Sequence, residues 1–576
     1  MNTLVIVLIA AVVLVCAYAG YGRWLAKTWG VAPNAKTPAV RLEDGKDYVP
    51  TNGWTVFAHQ FSSIAGAGPV TGAIQAAAFG WLPVLLWVLI GGVFFGAVTD
   101  FGALYASVKN DGKSMGLLIE KYIGKTGRKL FLLFCWLFCG IVIAAFADMV
   151  AGTFNAFDAE GAPVEAAFTN GAAGMVSIMF MVFAVVFGFI QKKFNFSGWK
   201  EAVIGIVFIV LSFAVGMNCP LVFGKAAWSY ITFVYIFFAA VLPMWMLKQP
   251  RDYMTTFMFG AMIAGAVIGL LVAHPTMNLP VFTGFNNAKL GTMFPILFVT
   301  VACGAVSGFH SLVSSGTSSK TVENEKDMLK VGYGAMVLES LLAVLALCVA
   351  GAAAAADGTP ATGTPFQIFS RGVAGFFEMF GVPVSIATVF MTMCVSALAL
   401  TSLDAVARIG RMSFQELFSV DDMEHAEGWR KLCCNVYFST FITLVFGFIL
   451  TQIGYANIWP LFGSANQLLS ALVLATLCVF LKVTGRNNKM LFPPLVIMLC
   501  VTFTALVQRL IAMVKAISAA ASTAIPAGET TWGAVFIANG LQLILAVLLI
   551  VLGLNIVFHS VKSYTTCDAP EAKATV

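Results

Sequence analysis

Two apolar stretches of the chain are interrupted near their centres by residues that break helices. Residues 54 to 78 contain Phe61-Ser-Ser-Ile-Ala-Gly-Ala-Gly-Pro69, and residues 294 to 319 contain Ala302-Cys-Gly-Ala-Val-Ser-Gly-Phe-His-Ser311. Glycine and proline at bilayer depth interrupt the helical ladder, and the freed backbone groups are tolerated only where they line a cavity or bind a ligand. Paired interruptions in two halves of a membrane protein therefore indicate a transporter's substrate site.

The first interruption offers hydrogen-bond donors to an anion. The proline that closes it suits the first turn of a new half-helix, and the two glycines permit a non-helical turn before it. The free N–H groups near Gly66, Gly68 and Val70, with the positive end of the half-helix dipole, favour a carboxylate. Ser62 and Ser63 add neutral hydrogen-bonding groups. The alternative is a kink that serves helix packing alone.

The second interruption carries a histidine. Ser307 can cap the new half-helix, Gly308 opens it, and His310 falls near the middle of the span. A histidine in a helix is often a hydrogen-bonded packing residue, but at membrane depth beside a break it is a candidate to contact substrate or carry a proton. We therefore place these three residues with the first interruption in one substrate site.

Four carboxylates fall within or near apolar stretches: Asp100, Asp148, Glu339 and Asp404. Each must be protonated, paired or facing water, because an unpaired charge in lipid costs several kcal/mol. Asp148 and Asp404 each lie two helices after an interruption, so each is a candidate partner acid, and Asp404 can pair with Arg408 on the same helical face. Asp100 can instead be an interface residue, and the role of Glu339 stays open.

Other polar residues give weaker signals. Thr401 and Ser402 offer hydroxyls that, with backbone carbonyls of residues 64 to 67, could hold a cation such as sodium. In the tight loop of residues 248 to 253, Asp252 can pair with Arg251 or Lys248. The run Ser464-Ala-Asn-Gln467 is interpreted first as a helix cap and second as a substrate or gate contact. No P-loop, HExxH or nucleophile elbow is present, and we predict neither a metal site nor a cofactor.

The composition requires a membrane. The 576 residues are 60% hydrophobic and 10% charged, with a mean hydropathy of +0.90, against about 25% charged residues in soluble domains. Apolar runs predict about fifteen transmembrane helices in an all-α polytopic protein. These runs lie near residues 2–19, 54–78, 82–107, 130–155, 172–191, 201–218, 229–247, 254–273, 294–319, 331–356, 384–411, 435–454, 463–483, 491–516 and 533–558.

Positive charge predicts the orientation of these helices, because cytoplasmic loops retain Lys and Arg. With the N-terminus outside and the C-terminal tail in the cytoplasm, inner loops hold 28 of the 33 Lys and Arg residues. Opposite loops hold only Lys225, Lys289 and Arg371. This asymmetry supports fifteen spans to within one hairpin. It also explains the net charge of +6 without nucleic-acid binding.

The order of the spans predicts an inverted repeat. The interrupted spans are the second and the ninth, and an odd offset of seven gives them opposite orientations in the bilayer. The resulting division is an N-terminal helix and loop (1–53), a first repeat (54–218), a helix pair (219–293), a second repeat (294–483), and peripheral helices with a cytoplasmic tail (484–576).

Several long runs resemble the carbon starvation protein A (CstA) family. They are Ile64-Ala-Gly-Ala-Gly-Pro69, the run from Leu85 to Phe101, Leu247-Lys-Gln-Pro-Arg-Asp-Tyr253, the run from Ala302 to Thr317, Leu400-Thr-Ser-Leu-Asp404, and the run from Ile458 to Gln467. The resemblance covers roughly residues 50 to 490. It implies a bacterial inner-membrane secondary transporter of the amino acid, polyamine and organocation superfamily, with a core like that of the leucine transporter, associated with uptake of peptides and pyruvate by proton symport.

One residue departs from the family pattern. Relatives often show His where this chain has Thr99, just before Asp100, and threonine cannot shuttle a proton. We therefore leave the coupling proton among Asp148, Asp404, Asp100 and His310.

The expectation from sequence is a proton-driven importer of a small carboxylate-bearing nutrient, pyruvate or a short peptide. Two alternatives stay open, a sodium-coupled symporter of the same substrates and a membrane nutrient sensor that does not transport. The expected partners are the substrate and membrane lipid, and a small cytosolic partner protein is possible. The residues do not predict an oligomeric state.

Overall fold

The computed structural model of the chain describes residues 2–45, 48–158, 160–194, 198–243, 246–288, 290–420, 427–522 and 532–567. This part of the chain is mostly helical, and its strands form one short antiparallel pair, Asn286–Asn287 with Gly291–Thr292. Lys289 and the tail beyond residue 567, which enter the charge count, lie outside the described residues.

Eleven helices in the described part of the chain are long and apolar enough to cross a membrane. They are Thr3–Thr28, Trp81–Val108, Lys125–Phe154, Ala167–Phe194, Trp199–Asn218, Lys248–Ala273, Glu325–Ala353, Val384–Phe418, Tyr455–Val483, Lys489–Ala520 and Phe536–Thr566. The bent pair Gly428–Cys434 and Val436–Thr451 gives a twelfth. The other predicted spans correspond to the 17-residue helix Lys225–Val241 and the two interrupted segments, so a total of about fifteen stays a prediction.

Both predicted interruptions are present. The first separates Gly53–Ile64 from Gly68–Ala76, and we call residues 65–67 the first break. The second separates Met293–Thr300 from Gly308–Gly316, and we call residues 301–307 the second break. Each half-helix is too short to cross a bilayer alone, because about 20 residues are needed.

Two long helices form the centre of the molecule. Lys125–Phe154 and Val384–Phe418 pack along each other, and both are largely buried. A short helix precedes each of them, Met115–Ile123 before the first and Pro365–Glu378 before the second. The latter has only 14 residues, so the apolar-run criterion does not find it.

Two further helices pack on the broken helices. Lys248–Ala273 contacts the half-helix Gly53–Ile64, and the buried helix Tyr455–Val483 contacts both halves of the second broken helix. The helices Ala167–Phe194 and Trp199–Asn218 form a hairpin, and Ala167–Phe194 also packs on Val384–Phe418 and Lys248–Ala273.

Three π-helical turns interrupt long helices: Tyr18–Gly22, Gly92–Gly96 and Leu329–Gly334. The last two precede Ala97–Val108 and Ala335–Ala353, the helices that carry Asp100 and Glu339. Turns of this kind are rare and occur frequently at functional sites.

Candidate functional site

The first break leaves backbone donors without partners. The N–H groups of Gly68 and Val70 have no hydrogen-bond partner among the described residues. Pro69 lies in the first turn of Gly68–Ala76, as predicted, and lacks an N–H of its own. These donors and the helix dipole point in the same direction, so the first break can accept an anion.

Only glycine fits at two positions of this break. A Cβ on Gly66 would overlap the Oγ of Ser402, and a Cβ on Gly68 would overlap the side chain of Cys303 in the second break. The first break therefore lies directly against both the long helix Val384–Phe418 and the second break.

The second break is held by side chains of the helix Tyr455–Val483. The Asn466 Oδ1 accepts the Phe309 N–H at 3.1 Å, and its Nδ2 donates to the Ser307 Oγ at 3.0 Å. The Gln467 Nε2 donates to the Phe298 carbonyl at 2.7 Å, and the Trp459 Nε1 donates to the Thr300 carbonyl at 3.2 Å. Backbone groups on both sides of this break are therefore satisfied by one neighbouring helix.

Two capping predictions are wrong. The Ser307 side chain makes no capping hydrogen bond to its own half-helix, because Asn466 from another helix takes that place. Ser464 does not cap a helix either, because its helix begins earlier, at Tyr455, and its Oγ donates to the Pro460 carbonyl at 2.7 Å. The second interpretation of that run, a substrate or gate contact, stays a prediction.

A small cavity lies between the two breaks. Its polar lining comes from Cys303 of the second break, from His310 of the half-helix that follows, and from Ser402 and Asn466 of two neighbouring helices. Gly66 and Gly68 form part of its wall, and the rest is apolar and aromatic. Four predicted site residues therefore meet here: Gly66, Gly68, His310 and Ser402.

His310 connects this cavity to two buried acids. Its Nδ1 lies 2.9 Å from the Asp100 Oδ2, and its Nε2 lies 3.3 Å from the Glu339 Oε2. All three side chains are at most 1% exposed. The Asp100 that follows Thr99 in sequence is thus paired with a histidine from a different helix. We call Asp100, His310 and Glu339 the buried triad.

The protonation state of the buried triad determines how much uncompensated charge is buried in the protein. With both carboxylates ionised and the imidazole protonated it carries one net negative charge, and with the imidazole neutral it carries two. In a water-excluded site the second arrangement is strongly disfavoured, because each unpaired buried charge is expensive.

Asp404 is paired, but not with the predicted residue. Its Oδ2 makes a buried ion pair with the Arg251 guanidinium and accepts the Tyr235 hydroxyl at 2.9 Å. Arg408 instead donates to main-chain carbonyls, including that of Leu242 at 2.8 Å. The predicted intrahelical pair is therefore wrong, because a guanidinium from the facing helix reaches the carboxylate first. The predicted pair of Arg251 with Asp252 is present at 3.0 Å.

Asp148 lies away from the cavity. Its Oδ1 is 2.8 Å from the Lys225 Nζ, and its Oδ2 accepts the Tyr455 N–H at 2.8 Å. Because Lys225 is about half exposed (46%), this pair lies near a surface, where it caps the start of the helix Tyr455–Val483.

The remaining predicted residues flank the cavity without lining it. They are Ser62, Ser63, Val70, Thr401, Ser307 and Gly308. Hydroxyls of Thr401 and Ser402 donate to carbonyls of their own helix at 2.8 and 3.1 Å. The Ser62 Oγ donates to the His59 carbonyl at 3.1 Å.

Three polar residues of the site were not predicted, namely Cys303, Glu339 and Asn466. Glu339 was noticed as an acid at membrane depth, but a single chain position gives no sign that it faces His310. Asn466 was noticed as part of a polar run. Its role depends on packing between the helix Tyr455–Val483 and the second break, which the sequence does not encode locally.

Known proteins were compared with this chain. The profile of the family described as "Carbon starvation protein CstA" matches residues 2–362 and 351–505. The "Peptide transporter CstA" of Escherichia coli (strain K12) is 31% identical over 88% of this chain and 80% of its own length. The "Pyruvate/proton symporter BtsT" of the same organism is 36% identical over 61% of this chain and 49% of its own length.

Among solved structures, a manganese transporter of Eremococcus coleocola in complex with an aromatic bis-isothiourea substituted compound covers 91% of this chain and 99% of its own. The identity is 11% and the TM-score is 0.42.

Proposed function

Because this chain belongs to the carbon starvation protein CstA family, we propose that it imports a small carboxylate-bearing nutrient, pyruvate or a short peptide, by proton symport. Its relatives are transporters, and the chain is a multi-pass membrane transporter rather than an enzyme. Peptides and pyruvate are what the names of two relatives state. The substrate and the coupling ion are the proposed parts.

The first break supports a carboxylate anchor. The N–H groups of Gly68 and Val70 are unpaired, and they lie at the positive end of the half-helix Gly68–Ala76. Charge-assisted hydrogen bonds of N–H groups to a carboxylate are about twice as strong as neutral ones. A carboxylate in the cavity satisfies donors that otherwise remain unpaired.

The buried triad is the observation that carries proton coupling. It contains three titratable groups in contact, and its central His310 also lines the cavity. A substrate anion that arrives beside His310 stabilises the protonated imidazole by charge attraction. Substrate and proton then each raise the affinity for the other, because the coupling between two bound ligands is reciprocal.

The alternative coupling ion is sodium, and one observation favours it. Ser402 packs directly on Gly66, so its hydroxyl lies against the backbone of the first break. Hydroxyl and carbonyl oxygens are hard ligands of the kind that alkali cations prefer, and unwound carbonyls bind coupling ions in transporters of this kind.

The same proposal includes an inverted repeat, alternating access and an N-terminus outside the inner membrane. Packing suggests another division of the first repeat. Lys248–Ala273 contacts the first broken helix as Tyr455–Val483 contacts the second. We therefore propose that Lys225–Ala273 completes the first repeat and that the hairpin 167–218 is an insertion.

The experiment is uptake of labelled pyruvate and labelled dialanine into proteoliposomes that contain the purified full chain. A pH gradient, acid outside, and a sodium gradient are imposed separately. We expect accumulation of at least one substrate above equilibrium with the pH gradient alone. Accumulation with sodium alone would replace the proton assignment, and the lack of counterflow for both substrates would refute import.

A further inference from the structure

We propose that the coupling proton leaves the buried triad for the cytoplasm along the seam between the half-helices Gly53–Ile64 and Gly308–Gly316, and that Gln60 blocks this route. The proposal rests on the proposed proton symport. It concerns the path of the proton beyond His310. Gln60 is a positioning residue in this proposal, because it acts on the path and does not touch the substrate.

The half-helix Gly308–Gly316 and the turn after it bury many hydroxyl groups. Five serines here are completely buried: Ser311, Ser314, Ser315, Ser318 and Ser319. Ser314 lies four residues after His310, and this spacing places both side chains on one face of the half-helix. The Ser311 Oγ has no hydrogen-bond partner among the described residues. Polar groups therefore continue from the triad along this half-helix.

Gln60 bridges two of these serines from the facing half-helix Gly53–Ile64. Its Nε2 donates to the Ser314 Oγ at 2.8 Å, and its Oε1 accepts the Ser318 hydroxyl at 2.6 Å. Gln60 is also completely buried. The amide therefore crosses the seam and lies between two hydroxyls that could otherwise bond to water.

The groups that meet at this bridge are polar but carry no charge. An apolar contact would oppose the entry of water, and a charged contact would be costly to keep dry. Hydroxyl and amide groups can instead be satisfied by one another or by water. The bridge can therefore be dry in one state of the protein and hydrated in another, as a route that conducts only part of the time requires.

The seam ends at a surface that the charge asymmetry assigns to the cytoplasm. The turn Ser318–Lys320 leads into the loop that ends at residue 330, and this loop lies on the inner side in the proposed topology. Lys320 is half-buried, and Glu323 is exposed. The polar face therefore leads from the triad to the inner surface of the protein.

The amide of Gln60 cannot relay the proton itself. Its oxygen and its NH2 group form hydrogen bonds, but it does not titrate as an imidazole or a carboxyl group does. When the amide leaves the two serines, water can enter beside Ser314 and accept the proton of the His310 imidazolium. The imidazole becomes neutral, and the proton passes through water to the cytoplasm. Gln60 therefore holds the proton on the triad until the seam opens.

Gln60→Ala tests the block. The assay uses proteoliposomes of the full chain with a pH-sensitive dye inside, an imposed pH gradient and no substrate. We expect Q60A to speed proton entry by about tenfold or more, because two hydrogen bonds no longer close the seam. Gln75→Ala, in the other half of the same broken helix, should leak no faster than the unchanged chain. A folded Q60A that leaks no faster either overturns the proposal.

A cysteine measures the entry of water into the seam independently. In a cysteine-depleted chain, S311C should react with a charged methanethiosulfonate at least about tenfold faster when Q60A is also present. S370C, at a completely buried position of Pro365–Glu378, should react equally slowly with and without Q60A. Faster reaction of S311C without a faster proton leak would place the proton route elsewhere. Faster reaction of both cysteines would mean that Gln60 only supports the fold.

Both measurements are made without substrate, so the route and the symport can fail separately. Uptake driven by the pH gradient in the unchanged chain, together with an unchanged leak in Q60A, overturns the route and leaves proton symport intact. Lack of pH-driven uptake by the unchanged chain refutes proton symport, and with it the premise of this route.

Discussion

At the scale of single residues, the molecule places each acid at membrane depth against a basic partner. Asp100 and Glu339 share His310, Asp404 has Arg251, and Asp148 has Lys225. The sequence shows that these acids need partners, because unpaired charges are too costly in lipid. It does not show which partners, since all four pairings join residues from different helices.

The first prediction concerns Glu339, an acid of the buried triad that does not line the cavity. Glu339→Gln removes a titratable group from the triad and leaves the cavity wall unchanged. We expect proton-driven accumulation to fall by about 5- to 150-fold, the usual range of coupling between two ligands. Counterflow without a pH gradient should stay within about twofold of the unchanged chain.

The matched control is Glu43→Gln at an exposed loop position. This variant should change neither proton-driven accumulation nor counterflow. Equal loss of accumulation and counterflow in Glu339→Gln would mean that Glu339 supports the fold and does not carry coupling.

The second prediction concerns the buried ion pair. Asp404→Asn leaves the Arg251 guanidinium buried without its carboxylate, so we expect a loss of stability of about 3–5 kcal/mol. Asp111→Asn removes the partner of Arg41 from a pair in which both side chains are about half exposed, and we expect a loss below about 1 kcal/mol. Thermal unfolding of both variants in the same detergent measures the loss of stability that each substitution causes. Equal shifts in melting temperature would contradict the burial argument.

At the scale of elements, glycine and proline predicted where the helices break, but not how the breaks are stabilised. The sequence places the interruptions within residues 61–69 and 302–311, because their glycines and proline interrupt a helix. The structure locates them at residues 65–67 and 301–307. The side chains that hold the second break come from Tyr455–Val483, more than 150 residues away. The π-helical turns and the short helix Pro365–Glu378 also escaped prediction, because neither produces a long apolar run.

The third prediction uses two glycines of one half-helix. A Cβ on Gly308 would overlap the backbone of Ser470 and the Leu469 side chain, whereas a Cβ on Gly316 meets nothing within 4 Å. Gly308→Ala should therefore separate the half-helix from its neighbour and cost about 1–3 kcal/mol.

We expect Gly308→Ala to lower substrate affinity in an uptake assay, and Gly316→Ala to keep the affinity of the unchanged chain. Similar affinities for the two variants would mean that close contact at Gly308 is not needed for the site.

At the scale of the whole molecule, composition was the most informative property. Hydropathy predicted nearly every long helix, because a segment that crosses lipid must be apolar along about 20 residues. Packing between helices could not be predicted in the same way, since apolar surfaces fit many partners. The sequence therefore predicted only part of the site. Its backbone donors and His310 were among the predicted residues, but Glu339 and Asn466 were not.

The fourth prediction concerns orientation. The charge asymmetry places Asp111 in the cytoplasm and Asp357 outside. In a cysteine-depleted chain, a membrane-impermeant maleimide should label D357C in intact cells and D111C only after permeabilisation. The reverse pattern would invert the proposed topology. Labelling of both sites in intact cells would show a missed span between them.

The half-helices that follow the two breaks differ in whether their first N–H groups have hydrogen-bond partners. At the second broken helix the Phe309 N–H is bonded by Asn466, but the half-helix Gly68–Ala76 begins with unpaired N–H groups at Gly68 and Val70. A carboxylate there takes the place of an Asp or Ser at a helix N-cap, an interaction that contributes about 1 kcal/mol in ordinary helices. The nutrient would thus act as the N-cap of this half-helix for as long as it stays bound. Hydrogen exchange at the N–H groups of Gly68 and Val70 should slow when substrate binds, while exchange at Phe309 stays constant.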